Sequence, residues 1–326
     1  MKPKYSIAVV LISLIFGATA SCGSADEAGE GTNDTAQATE STSGQDTGPE
    51  EEQPVVDPKD EQDPVSGPTR IVSLSPSATE TLFALGAGDQ IVAADAYSTY
   101  PPEAPTTDLS GFDPNVEAIL GYEPDLVVIA NDANELVAAL DELKIPVHIS
   151  PPPLTLEDGY GVIAELGSAV GRTEQADHLI AKLRSEIDEA LALIPLQSST
   201  GEPLRVYHEL DETFYSASSF GFIGDVYTQM GLDNIADDAD MGQTGFPQLT
   251  EEHIIQANPD LIIITDQVSY TSDDVAARPG WDQVSAVKSN SIITLDADIA
   301  SRWGPRLPQL IASVAKGLAI ASQSAD

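Results

Sequence analysis

The most regular alternation of apolar and polar positions lies near the middle of the chain, between Thr173 and Ile194. Apolar residues recur there every three or four positions, which is the period of an α-helix. Thr173 is placed to cap the first turn, and Pro195 to stop the last one. About twenty helical residues, each rising ~1.5 Å, form a rod roughly 30 Å long. The pattern predicts one long helix over 173–195.

Similar sequence lies on both sides of this helix. Glu117 is followed seven positions later by the segment 124–129, PDLVVI, and Glu252 is followed seven positions later by the segment 259–264, PDLIII. Each copy predicts a short helix, a turn and a wholly apolar strand. Such strands are typical of parallel α/β sheets that are covered on both faces. The repeat indicates two similar halves, one before and one after the long helix.

The order of elements within the halves supports an α/β fold class. The first half begins with a strand over 70–75 and a helix for which Ser77 and Glu80 would form a capping box. Strand, helix and strand within a short stretch are the rhythm of doubly wound sheets. We therefore predict two Rossmann-like lobes, an N-terminal lobe over 69–172 and a C-terminal lobe over 196–326, joined by one rigid inter-lobe helix.

Residues 1–22 have the features of a targeting segment. Lys2 and Lys4 precede an apolar stretch that is too short for a permanent membrane helix. Cys22, the only Cys of the chain, ends a segment that resembles a bacterial lipoprotein signal, with cleavage before the Cys and lipid on its sulfur. This predicts a lipid-anchored protein on the extracytoplasmic face of the cell membrane. The alternative is an ordinary signal peptide followed by a chance thiol.

The next segment, 23–68, is rich in Gly, Ser, Thr, Pro and acidic residues. It holds thirteen Asp and Glu against one Lys and has few large apolar side chains, so we predict a disordered acidic tether. The whole chain of 326 residues carries a formal net charge of −39. That charge argues against nucleic-acid binding, which needs Lys and Arg for the phosphates, and against passive adhesion to anionic lipid.

The candidate chemistry is that of binding rather than catalysis. The sequence has no Gly-x-Ser-x-Gly elbow, no phosphate-binding loop and no nucleotide-binding glycine fingerprint. Its four His residues are far apart, and only His208 ends a predicted strand near strand-end loops. We therefore expect no enzyme activity, no bare metal site and no covalent cofactor.

Aromatic and cationic residues mark the predicted loops and strand ends. Such aromatic side chains can hold a large ligand by contact area. In this acidic chain Arg302 and Arg306, which flank Trp303, are conspicuous, and Arg302 is a candidate ligand contact. The aromatic set is Tyr97, Tyr100, Phe214, Tyr215, Phe220, Phe222 and Trp303.

These segments resemble a known family, the substrate-binding proteins of ABC importers for cobalamin and ferric siderophores. The likeness covers about 69–322 and is carried by 71–82, 97–102, 298–306 and the two Glu-to-Pro-Asp-Leu blocks. It implies the class III periplasmic-binding-protein fold and ligand binding between the lobes. In the cobalamin-binding members, the positions that match Tyr97 and 298–302 contact the corrinoid. The candidate ligand-binding residues are Ser75, Pro76, Tyr97, His208, Tyr215, Asp298, Arg302 and Trp303.

The resemblance also implies a docking role for the repeated Glu residues. In similar proteins one surface Glu on each lobe pairs with the two permease subunits, and Glu117 and Glu252 match those positions. A receptor with one such carboxylate per lobe complements a twofold-symmetric partner. We expect a monomeric, lipid-anchored receptor that binds a cobalamin or a ferric siderophore and delivers it to an ABC permease. The alternative is a haem- or metal-binding surface protein, metallochaperone or enzyme that uses His208 with Glu209 or Asp211.

Overall fold

The computed structural model of the chain describes residues 67–194 and 201–323, with the side chains of 322 and 323 excepted. The predicted signal segment with Cys22, and the predicted tether as far as residue 66, lie outside the described residues. None of the helices in the described ranges combines the length and the apolarity needed to cross a bilayer.

The N-terminal lobe is built on a four-stranded parallel sheet with the strand order β2-β1-β3-β4. Every residue of the two inner strands β1 and β3 is buried, as expected for apolar runs between two layers of helices. The strands are β1 (Ile71–Leu74), β2 (Ile91–Ala94), β3 (Leu126–Ile129) and β4 (Val147–Ile149), and the helices are α1 (Pro76–Ala84), α2 (Val116–Leu120), α3 (Leu136–Glu142) and α4 (Leu156–Ala169).

The long helix predicted from the apolar period is α5 (Thr173–Leu191), which has 19 residues. It starts after Arg172, so Thr173 is its first residue rather than its cap, and it ends before the predicted stop at Pro195. One face of α5 is buried at spacings of three and four residues, which is the stripe that a partly covered helix needs. The buried residues are Ala176, Leu179, Leu183, Ile187 and Ala190.

The C-terminal lobe repeats the plan with a parallel sheet in the order β6-β5-β7-β8. The first strand of each lobe pairs in parallel with the second and third strands of that lobe, so the two sheets have the same topology. Its strands are β5 (Arg205–His208), β6 (Asp233–Asn234), β7 (Leu261–Thr265) and β8 (Ile292–Leu295), and its helices are α6 (Phe222–Gln229), α7 (Glu251–Ala257), α8 (Ser272–Ala276), α9 (Ser285–Lys288), α10 (Ala297–Ser301) and α11 (Leu307–Gln323).

The inter-lobe helix is not an isolated spacer. It packs against α4 on one side and α11 on the other. Its buried stripe belongs to one apolar cluster that also contains Ile71 and Val128 of the first sheet and Val206 and Ile263 of the second. Because this core runs without interruption from one lobe to the other, a wide swing of the lobes would expose apolar surface at about 25 cal/mol per Å².

The start of α1 differs from the expectation. Ser75, not Ser77, is the N-cap, and its Oγ accepts a hydrogen bond from the backbone N of Ala78 at 3.4 Å. Pro76 occupies the first helical position, where its missing N–H costs nothing. Glu80 therefore takes no part in a capping box and is available for the contacts described below.

Candidate functional site

The candidate site lies where strands of both sheets end. Pro76 follows β1 and Tyr97 follows β2, whereas Tyr215 follows β5 and Asp298 follows β8. Ligands of doubly wound sheets bind outside the carboxyl ends of the strands, because the loops there converge. The predicted residues on both lobes are thus at the end of each sheet that is suited to a ligand.

Residues from the two lobes touch at this place. Nη2 of Arg302 donates to the backbone O of Tyr97 at 3.1 Å and lies 2.6 Å from Oδ1 of Asp298. Oγ1 of Thr99 is 3.4 Å from Oδ2 of the same Asp298. Three residues predicted separately from the sequence therefore meet, although about 200 positions separate Tyr97 from the other two.

Glu80, which the sequence pattern placed in a capping box with Ser77, instead completes this inter-lobe contact. Its side chain projects from α1 and the residue is 4% exposed. Arg306 donates to it twice, from Nε to Oε2 at 2.8 Å and from Nη2 to Oε1 at 2.5 Å, and Nη1 of Arg302 lies 3.4 Å from Oε1. Such two-pronged charge-assisted bonds are strong and directional. We call Glu80, Arg302 and Arg306 the Glu80 brace. Arg302 is therefore held by Asp298 of its own lobe and by Tyr97 and Glu80 of the other lobe.

The loop that carries Tyr97 is fixed from beneath by buried hydroxyl groups. Oγ1 of Thr79 donates to Oγ of Ser73 at 2.8 Å and is 2.9 Å from Oγ of Ser98, which donates to Oδ1 of Asp95 at 2.7 Å. Burial raises the pKa of Asp95, against the opposing effects of the Ser98 hydrogen bonds and the Arg302 charge. The loop therefore presents Tyr97 from a rigid base.

Exposed aromatic side chains lie on both lobes near these loops. In the N-terminal lobe the rings of Tyr97 and Phe112 meet edge to face with centroids 5.8 Å apart, and Phe112 is 76% exposed. In the C-terminal lobe Phe220 and Phe246 are exposed, and their neighbours Gly221 and Gly245 lie against each other. Each lobe thus offers an apolar surface that a large flat ligand could cover.

The C-terminal loop with Phe246 is held by one carboxylate. Asp240 accepts from Oγ of Ser218 at 2.6 Å and from the backbone N atoms of Thr244 and Gly245 at 2.9 and 2.8 Å. These hydrogen bonds outweigh the opposing effect of burial and keep the pKa of Asp240 below its usual value. The loop is therefore ordered by its own polar groups.

Three of the predicted ligand contacts lie inside the protein instead. His208 is 1% exposed, and its Nδ1 is 2.8 Å from Oη of Tyr227. Burial lowers the pKa of His208 to about 4. Trp303 packs edge to face against Tyr160 and Phe222, at 5.7 and 5.4 Å between centroids. The strand end and the loop around these residues are covered by α4 and α6, which a local pattern cannot foresee. Ser75 is also buried, because it caps α1.

Glu209, the residue after His208, is engaged in a buried ion pair. Glu209 is fully buried and accepts two hydrogen bonds from Arg278, at 2.6 and 2.7 Å, and others from the hydroxyls of Tyr207 and Tyr270. The Arg278 guanidinium also lies 4.7 Å from the ring centroid of Trp281. Across residues 67–194 and 201–323, no group of three or more His, Cys, Asp and Glu side chains is placed to hold a metal ion.

Glu117 and Glu252 are both exposed and occupy equivalent positions. Glu117 is the second residue of α2 and Glu252 the second residue of α7. Two positions after each Glu, a fully buried Ile anchors its helix, Ile119 in one lobe and Ile254 in the other. The repeat seen in the sequence is therefore also a repeat in space, with Glu117 and Glu252 exposed at equivalent positions of the two lobes.

Comparisons with known proteins agree with this architecture. A relative from Bacillus subtilis (strain 168), named as an uncharacterized ABC transporter substrate-binding lipoprotein, is 32% identical over 260 residues, covering 77% of this chain and 80% of the relative. A vitamin B12-binding protein from Pectobacterium atrosepticum is 30% identical over 268 residues, covering 79% of this chain and 92% of the relative.

Among solved structures, the periplasmic haem-binding protein RhuT from Roseiflexus sp. RS-1 is similar. It superposes with a TM-score of 0.66 at 27% identity, over 79% of this chain and all of that one. The predicted two-lobed α/β fold is thus confirmed. The model of the family described as periplasmic binding protein matches residues 71–299. With two similar sheets, a helix between them and a match over most of its length, this chain belongs to the periplasmic binding protein family.

Proposed function

We propose that this chain is the substrate-binding component of an ABC importer and that it holds a large metal chelate between its lobes. The observation that carries the proposal is the meeting of Tyr97 with Arg302, itself paired with Asp298, across the lobes. Each lobe also carries exposed aromatic rings in loops that follow its strands. The relatives named as ABC transporter and vitamin B12-binding proteins support it. No covalent chemistry is needed for this function.

The ligand that fits best is a corrinoid of the cobalamin type. A wide, flat molecule gains most from apolar rings presented by two separate walls, here Tyr97 and Phe112 on one lobe and Tyr215, Phe220 and Phe246 on the other. Haem is also wide and flat, whereas a ferric siderophore is a compact octahedral chelate, and both are the competing outcomes of the test. The alternative built on a His208 metal site has no support, because His208 is buried and bonded to Tyr227.

Calorimetric titration of the full mature chain tests the ligand class. Cyanocobalamin, haemin and a ferric hydroxamate siderophore are titrated in turn, because buried Trp281 and Trp303 make fluorescence quenching an indirect signal. We expect cyanocobalamin to bind at submicromolar Kd and Phe112→Ala to weaken that binding about 10-fold. Arg184→Met, which removes an exposed ion pair between α5 and Glu157 of α4, serves as the control. Tight binding of haemin or the siderophore alone would replace the corrinoid assignment, and binding of none would refute the proposal.

The proposed receptor contacts two further components, the ABC permease and the cell membrane. Glu117 and Glu252 dock on the two subunits of the permease, Cys22 carries lipid, and the monomeric protein works on the extracytoplasmic face of the membrane. The matched exposed positions of the two Glu residues support this. Glu117→Lys combined with Glu252→Lys should abolish uptake by cells and leave ligand affinity unchanged. Unimpaired uptake would refute the docking role.

A further inference from the structure

The two short helices with the exposed Glu residues are held in the same way. Glu252 lies 135 positions after Glu117, and the N-cap residue Thr250 lies 135 positions after the N-cap residue Asn115. Oδ1 of Asn115 accepts from the N of Ala118 at 3.0 Å, and Oγ1 of Thr250 accepts from the third residue of its helix at 3.2 Å. The helices therefore begin with matched caps.

The opposite ends of these helices are held by two matched Arg side chains. Arg70 donates from Nη2 to the backbone O of Tyr122 at 2.6 Å and from Nε to the O of Glu123 at 2.9 Å. Arg205 donates from Nη1 to the O of Ala257 at 2.5 Å. Arg205 and Ala257 again lie 135 positions after Arg70 and Tyr122. Each Arg is at the start of an inner strand, so it links that strand to the end of a helix.

The backbone of each Arg makes a second matched link. The N of Arg70 donates to Oδ1 of Asp125 at 2.8 Å, and the N of Arg205 donates to Oδ2 of Asp260 at 2.9 Å. Both Asp residues follow the turn that ends the helix. The turn itself is repeated, with a left-handed residue before the Pro in each case, at φ 48° and φ 49°. We call each set of Arg, Asp and helix-end carbonyls an Arg buckle.

We propose that Arg70 and Arg205 are positioning residues for permease docking, an inference that rests on the docking role of Glu117 and Glu252 proposed above. A helix of five or seven residues has no stability of its own, so its direction is set by what holds its ends. A single buried Ile would let each helix rotate about that contact. The buckle fixes the helix to the inner strand, β1 or β5, whose far end reaches the ligand site.

A pull on either docking Glu would be transmitted to a strand through a continuous set of contacts. A pull on Glu117 passes through α2 and Arg70 into β1, and β1 runs directly into Pro76 at the site. A pull on Glu252 passes through α7 and Arg205 into β5, and Leu210, two residues beyond the end of β5, donates its backbone N to the O of Tyr215 at 2.8 Å. Each buckle thus couples its docking carboxylate to one wall of the ligand site.

Hydrogen exchange of the purified full chain tests the buckles without a permease. Arg70→Met removes the donors and keeps an apolar stem, so we expect amides in 116–123 to exchange about 10-fold faster, because charge-assisted bonds are lost there. Amides in 251–258 stay unchanged, and Arg205→Met gives the reverse pattern. Arg70→Lys restores part of the protection. Arg184→Met, which removes an exposed pair with Glu157, changes neither segment. Exchange within about twofold of wild type in 116–123, or faster exchange throughout the lobe, would overturn the inference.

A second test separates positioning from general stability. Uptake of radiolabelled cyanocobalamin is measured in cells that carry each variant in place of the native copy. We expect Arg70→Met to lower uptake about fivefold, to add nothing to Glu117→Ala, and to add its full effect to Glu252→Ala. Loss of stability alone would add equally to both Glu variants and would overturn the positioning role. Ligand affinity measured by calorimetry should stay unchanged.

Failure of the docking role and failure of the positioning role give different results. If Glu117→Ala and Glu252→Ala leave uptake unchanged while exchange responds as described, the docking role fails and the buckles are structural only. If the Glu variants lower uptake and Arg70→Met does not, the docking role stands and the positioning inference is wrong.

Discussion

Two glycines in the same helix give the sharpest test of how the lobes fit together. In α4, a Cβ at Gly159 would lie 2.2 Å from the indole carbons Cε2 and Cζ2 of Trp303, which belongs to the other lobe. A Cβ at Gly161 would have no neighbour within 4 Å. Replacing either Gly by Ala adds one methyl group, which meets the Trp303 ring at position 159 and open space at position 161.

The expected energies have opposite signs. Ala in place of an exposed helical Gly stabilises by about 0.5–1 kcal/mol, which is the expectation for Gly161→Ala. For Gly159→Ala the ring must move by about 1.2 Å to reach normal contact, and Tyr160 and Phe222 already pack against it. Overpacking of this kind costs about 1–3 kcal/mol. Both variants gain the helix propensity of Ala, so they should differ by the overpacking cost of about 1–3 kcal/mol in the free energy of unfolding.

Thermal and urea unfolding of the two variants measure this difference. About 2–4 °C per kcal/mol applies to domains of this size, so the Tm values should differ by roughly 2–12 °C, with Gly161→Ala the higher. The near-ultraviolet circular dichroism should change for Gly159→Ala only, because Trp303 is the side chain displaced. Equal Tm values for the two variants would refute the close packing of Trp303 on α4.

Three further predictions follow from single residues. Between about pH 7.5 and pH 4.5 the free energy of unfolding of the wild type should fall by about 2–3 kcal/mol more than that of His208→Asn. Burial lowers the pKa of His208 in the folded protein, so the unfolded chain takes up the proton first as the pH falls. Identical pH profiles of the two proteins in urea unfolding would contradict this. Glu80→Gln should lower the free energy of unfolding by about 3 kcal/mol and weaken ligand binding, because it leaves Arg302 and Arg306 without their buried anion; a Tm within about 1 °C of wild type would contradict it. Asp240→Ala should speed hydrogen exchange in 241–246 about 10-fold, since its carboxylate orders that loop, and unchanged exchange would contradict it.

Some features were predictable because they depend on local patterns. The long helix α5 and the buried apolar strands β3 and β7 of the two repeated blocks are as the sequence predicts. Errors arose where a side chain had a partner far away in the sequence. Glu80 has the spacing of a capping residue to Ser77, yet its partners lie more than 200 positions further on. Trp303 lies in a predicted loop, yet it is buried because α4 of the other lobe covers it.

The sequence by itself determined the class of this protein. Apolar periods of 3.6 residues and uninterrupted apolar runs report which face of each element is buried, and the repeat of Glu117 at Glu252 reports two similar lobes, since both signals are local in the chain. Only the tertiary structure decided which polar groups meet. Whether Arg302 meets Glu80, whether His208 faces solvent or core, and whether Arg70 reaches the end of α2 depend on contacts between distant segments. Such contacts are set by packing of whole lobes, which no single stretch of sequence encodes.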